Sequence, residues 1–313
     1  MAKRQQPSEV ASRLTSCDLD VATQPLVDSQ ESAPTSSTLD LRLLIKPVGL
    51  SVIRPTRCIL ERHYTNNWQY DFKIYRFRDT NMYNYWRVGL RWDVHPERKW
   101  ANNTVHYVIS PLYETEDYIT IYKSITMLNF MTCIRFLPWD GKAEDFLLIW
   151  PVKYPKGCWS LVGRFGGPQI LSLQPPDSNG PNCLGDEGRP THEILHALGI
   201  FHEQSRADRD NYVKVHYDNI ISEFKVNFDK ESLENTTYNF EYDYDSVMHY
   251  GPNYFSKEKG LPTITPKHRG VKLGQRKAMS KTDCLKINDL YGCLSKSIAH
   301  QRKYYTLCNT LGL

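Results

Sequence analysis

The sequence predicts an α+β domain, and three stretches carry that prediction. Residues 100–111 read as a strand in which Val105, Tyr107 and Ile109 alternate against their neighbours, and residues 146–150 are a short apolar run of the kind that forms a buried strand. Residues 116–131 place Ile121, Ile125 and Leu128 at helical spacing, so a helix there turns one apolar face to the sheet; Ser110 or Thr115 can open it. The third stretch is residues 191–212, which gather three histidines, a glutamate and a glycine.

At 313 residues the chain is long enough for one or two domains with a sizeable core. Lys and Arg number 39 against 35 Asp and Glu, a net charge of +4, and they are dispersed, which argues against nucleic acid as a partner. No run approaches the apolar length of a transmembrane helix. Residues 1–38, rich in Ser, Thr, Gln and Pro, read as disordered. Lys3 and Arg4 could begin a secretory leader, but no apolar run follows, and residues 39–53 are broken by Asp40, Arg42, Lys46 and Pro47. Residues 58–91 are aromatic and basic.

Residues 159–173, with Gly163, Gly166, Gly167 and Pro168, read as an edge strand and turn, and no helix start follows to make them a phosphate loop. Residues 206–211 read as a charged loop, and 212–228 carry weak helical periodicity. Residues 280–290 read as a helix that Ser280 caps, with Asp283 in the capping-box position.

The chemistry concentrates in residues 191–212. On a helix, His192 and His196 lie four apart on one face and can present two imidazoles to one metal ion. Glu193 is one step round, beside the metal rather than on it, where a carboxylate can take a proton from water. A continuing helix would turn His202 away by about 120°. Gly199 tolerates the left-handed conformation that ends helices, so the chain can turn there and bring His202 back as the third ligand. Three neutral histidines leave a fourth zinc position open, as catalysis requires and a closed structural site does not.

The full pattern H-E-x-x-H-x-x-G-x-x-H resembles that of the metzincin zinc peptidases. The residues that follow, Glu203, Gln204, Ser205 and Arg206, resemble the astacin family among them. Downstream, Ser246, Val247, Met248, His249 and Tyr250 resemble that family's Met-turn; upstream, residues 157–164 resemble its active-site edge strand, and 131–136 the region of its first cysteine. The resemblance covers residues 92–293 as a catalytic domain, between an N-terminal and pro-segment region at 1–91 and a C-terminal tail at 294–313.

The resemblance implies a metzincin fold: a twisted, mostly parallel sheet with an antiparallel edge strand, two long helices, and a less regular C-terminal lobe across an active-site cleft. It implies a secreted zinc endopeptidase made as a zymogen, which cleaves protein or peptide substrates bound extended in the cleft. One Zn2+ would be held by His192, His196 and His202, with Glu193 as general base and Tyr250 donating to the oxyanion and serving as a fifth ligand at rest. It implies the disulfides Cys133–Cys293 and Cys158–Cys183, leaves Cys284 and Cys308 able to pair, and places Cys17 and Cys58 in the pro-region.

The family's pro-segment pattern Phe-x-Gly-Asp is missing; Phe77-Arg78-Asp79 echoes it in part, and Cys58 is either a latent metal ligand or an unpaired or locally paired cysteine. An activating protease would cut after Arg87 or Arg91, and the freed ammonium would meet Glu203. Eight cysteines without a Cys-x-x-Cys pair, and the glycosylation sequons at Asn102 and Asn235, point to an oxidising compartment, against the missing leader. An incomplete or wrongly joined N-terminus is the reading that reconciles them. The competing reading, an inactive metzincin serving as a binding protein or toxin, requires a lost ligand or base, and none of the five groups is lost.

Overall fold

β1 (Thr104–Ile109) runs parallel to β2 (Arg135–Pro138) on one side and β3 (Phe146–Trp150) on the other, β3 runs parallel to β5 (Pro168–Ser172), and the short β4 (Trp159–Ser160) closes the sheet antiparallel to β5. The order β2-β1-β3-β5-β4 is the mostly parallel sheet with an antiparallel edge that the resemblance implies. This computed structural model describes residues 91–311 except 154, 177–181, 233–235 and 237–238. Readings placed on Cys17, Cys58, Asp79, Arg87 and Asn235 lie outside the described residues.

Between β1 and β2 the chain crosses over through α1 (Thr115–Met131), as a parallel pair requires. Ile121, Ile125, Leu128 and Met131 are buried on its sheet-facing side, and Glu116 and Asp117 stand in its first turn, where the helix dipole favours acids. In β3 the apolar run hides an alternation: Leu147 and Ile149 are fully buried, whereas Phe146, Leu148 and Trp150 are half-buried on the other face. Trp139 stacks on Phe146 there, 4.5 Å between ring centroids.

α2 (Gly188–Ala197) carries the first part of the histidine motif and packs against α1, β4 and β5. The chain after it is less regular. Residues 212–228, with their weak helical periodicity, form a strand and then 3-10 turns. β6 (Val213–Val215) pairs antiparallel with β7 (Ile264–Pro266), which suits β-branched residues, and Tyr217–Asn219 and Ser222–Phe228 follow as 3-10 turns. Val213, Ile220, Phe228, Tyr242, Tyr250 and Ile264 form a second apolar cluster in this lobe.

α3 (Lys281–Leu290) starts on the expected capping box: Ser280 Oγ accepts from Asp283 N at 2.9 Å and Ser280 N donates to Asp283 Oδ2 at 3.1 Å. Residues 294–311 hold a further helix, α4 (Ile298–Asn309), capped by Ser297. Tyr304 and Cys308 of α4 are buried in the main core. Among the described residues three disulfides are formed: Cys133–Cys293, Cys158–Cys183 and Cys284–Cys308. The last ties α4 to α3.

Candidate metal centre

α2 stops after Ala197, and Gly199 turns the chain with φ +95°. Ile200 O then accepts from His196 Nδ1 at 2.7 Å, so the turn is fastened to the ligand helix it has just left. His202 comes back to the same point as His192 and His196. The three Nε2 atoms lie 3.1, 3.2 and 3.2 Å apart.

The separation between His192 and His196 is not a hydrogen bond. His192 Nδ1 lies 2.8 Å from Val247 O, and a carbonyl only accepts, so on His192 and His196 the proton is on Nδ1 and Nε2 carries a lone pair. Lone pairs converging at this distance repel one another unless a cation takes them. Tetrahedral zinc with Zn–N near 2.0–2.1 Å separates its nitrogens by about 3.3 Å, so the donor set and its spacing fit zinc. The Nδ1–carbonyl bonds fix ring orientation and tautomer in the manner of outer-sphere partners of metal-bound imidazole. Burial pushes the His192 pKa well below its ordinary value and that of His196 down to about 3, which keeps both rings neutral, as ligands must be.

Glu193 is buried, and its Oε2 has no hydrogen-bond partner among the described residues. An orphaned carboxylate oxygen is expensive unless a ligand or water uses it. Burial raises the Glu193 pKa to about 8, with the Arg276 charge pulling the other way. Tyr250 packs its ring 4.4 Å from that of His202, centroid to centroid, and its N donates to Gln204 Oε1 at 3.0 Å. All five residues singled out in the sequence, His192, Glu193, His196, His202 and Tyr250, are brought to one place and are buried. At the edge strand's end, Gly163 N donates to His196 O at 2.9 Å, which ties the turn after β4 to the ligand helix.

Residues 93–292 match the family model of astacin, a peptidase family. This chain belongs to the astacin family. Among astacin-like relatives, zinc metalloproteinase nas-13 of Caenorhabditis elegans is 43% identical over 196 residues, 62% of this chain and 41% of the relative. High choriolytic enzyme 1 of Oryzias latipes is 41% identical over 190 residues, 60% of this chain and 66% of the relative. The solved structure of that protein, described as a hatching enzyme zinc-protease, superposes with a TM-score of 0.55 at 39% identity, covering 62% of this chain and 93% of the other. The match spans less than two thirds of the length of either curated relative.

In the uncut chain Glu203 already has cations beside it. Its Oε2 accepts from Lys286 Nζ at 2.6 Å, and its Oε1 from Arg206 Nη1 at 3.1 Å and Asp243 N at 2.9 Å. These contacts hold the Glu203 carboxyl below its usual pKa even though burial alone would raise it.

Asp283, read from sequence as a helix cap, also accepts from Ser246 Oγ (2.6 Å) and Val247 N (2.8 Å), so it supports the carbonyl that orients His192. Arg276 and Lys286 had no signal in the sequence, since each meets the site from a distant part of the chain.

Proposed function

We propose that this chain is a zinc endopeptidase in which His192, His196 and His202 hold one Zn2+, Glu193 is the general base and Tyr250 the oxyanion donor. The observation that carries the reading is the convergence of three imidazole Nε2 atoms beside a buried carboxylate with an oxygen that has no partner among the described residues. A zinc ion held there would supply Lewis acidity, polarising a peptide carbonyl and lowering the pKa of water to about 7. Glu193 takes the proton from the attacking water and delivers it to the departing amine. Burial in a site closed to bulk solvent favours proton return to the amine over loss to water. The Tyr250 phenol, whose ring packs against that of His202, stabilises the developing oxyanion. Protein or peptide substrate lies extended along β4, held by backbone hydrogen bonds to that antiparallel edge. Glu193→Gln keeps the shape and removes the base. It should retain zinc and lose peptide hydrolysis by at least about a hundredfold, the contribution typical of general base catalysis; hydrolysis near the wild-type rate with zinc bound would rule the assignment out.

We further propose secretion and latency. The three disulfides and the exposed sequon at Asn102 support an oxidising, extracellular setting. Trp92 packs against Gly199 and its Nε1 donates to Leu290 O at 2.9 Å, so the domain is anchored immediately after Arg91, which supports a cut at Arg87 or Arg91. Trypsin treatment of the full chain should yield a new N-terminus at one of these bonds together with a rise in peptide hydrolysis. Equal hydrolysis before and after a cut verified by N-terminal sequencing would exclude latency.

A further inference from the structure

The Glu203 carboxylate lies next in sequence to His202 and is 3% exposed. Two hydrogen bonds lock its turn to the turn at residues 248–250: Glu203 N to Met248 O (3.3 Å) and Tyr250 N to Gln204 Oε1 (3.0 Å). The Glu203 side chain adds a further tie to the turn that carries His202, through Lys286 Nζ at 2.6 Å and Asp243 N at 2.9 Å. Arg206 pairs with Glu203 through Nη1 at 3.1 Å but shares its charge with Asp208, which it engages through Nε at 2.9 Å and Nη2 at 2.8 Å. The second cation on Glu203 is the ammonium of Lys286, whose side chain is 13% exposed and whose Nζ lies 2.6 Å from Oε2. Asp243 and Asp283 also feel the Lys286 charge, so one cation serves a buried acidic cluster. Lys286 is carried by α3, which the capping box starts and the bond Cys284–Cys308 fastens to α4.

We propose that Lys286 is a positioning residue for the third metal ligand. It holds Glu203, and through it His202, from a disulfide-fastened helix, and it does so in the uncut chain without a newly freed N-terminal ammonium. A buried carboxylate that loses a counter-ion is driven toward water, and that movement releases the turn that carries His202. Outer-sphere changes of this sort lower metal affinity by about 10–100-fold.

The inference rests on the histidine triad being a zinc site. The experiment uses the full-length uncut chain, with zinc affinity measured by chelator competition and cobalt substituted for its visible absorption. Lys286→Met should weaken zinc binding about tenfold and change the cobalt spectrum, and Lys286→Arg should bring both back toward wild type. The double variant Glu203→Gln, Lys286→Met removes the Glu203 charge together with the ammonium that faces it. It should still bind zinc about tenfold more weakly than wild type because the link to α3 is gone. Wild-type affinity and spectrum in the folded double variant or in Lys286→Met, or failure of Lys286→Arg to restore either, would overturn the proposal. A wild-type chain that binds no zinc would instead overturn the reading of the triad.

Discussion

At Gly199 two independent constraints exclude a side chain. A Cβ there would stand 2.5 Å from Cη2 of Trp92, and φ is +95°, a conformation that L-residues rarely adopt. The left-handed backbone alone costs about 1–2 kcal/mol for a residue with a Cβ. Displacing a packed ring adds about 1–3 kcal/mol. Gly199→Ala should therefore lower stability by about 2–5 kcal/mol in urea unfolding. Trp92→Ala removes the ring but leaves φ unchanged, so the Gly199→Ala penalty should shrink in that background without vanishing. Equal penalties in both backgrounds would show that Trp92 does not press on the turn. The sequence alone indicates that the chain must turn at this glycine, because only a turn brings His202 back to His196. It cannot indicate Trp92, which lies far upstream.

At the scale of elements, α3 does more than close the fold. Asp283 caps its own helix and also receives Ser246 Oγ and Val247 N, and Val247 O holds the His192 ring. Asp283→Ala removes a cap worth about 1 kcal/mol and leaves buried donors that each cost about 1–3 kcal/mol. Ser280→Ala disturbs the cap while leaving the bonds from Ser246 and Val247 to Asp283 in place. Asp283→Ala should thus destabilise the chain by at least about twice as much and alone weaken zinc binding; equal effects in both assays would reduce Asp283 to a cap. The contrast shows what was legible in the sequence. The capping box is local, its two partners three residues apart, and was readable, as were β1, α1 and the spacing of the histidine motif. The ties from Asp283 to Val247 and from Lys286 to Glu203 span 36 and 83 residues, and no periodicity encodes such pairings. α4 was not evident for a related reason: its buried positions are few, Tyr304 and Cys308, and its place depends on a disulfide.

For the whole molecule, the buried site couples metal, protons and stability. Glu193 has a pKa of about 8 in the folded chain without metal, against an ordinary 4.5. A raised acid stabilises the fold fully below the unfolded pKa, and that contribution is lost as pH rises through the folded value. The window from about pH 7 to 8.5 isolates this group. His192, His196 and His249, all lowered by burial, are neutral in the fold there and mostly neutral in the unfolded chain, and Asp243, raised to about 6, is already mostly ionised. Metal-free protein should lose about 1 kcal/mol of unfolding free energy across that window, from one proton held by the fold and not by the unfolded chain. Metal-free Glu193→Gln has no such proton, so its stability should stay nearly level. Zinc favours the ionised carboxylate, so adding it back to the wild type should remove the slope. Chemical denaturation at several pH values, with and without chelator, measures all three. Parallel slopes for metal-free wild type and Glu193→Gln would show that Glu193 is ionised in the metal-free fold, and that its free oxygen is matched by solvent rather than kept ready for a proton.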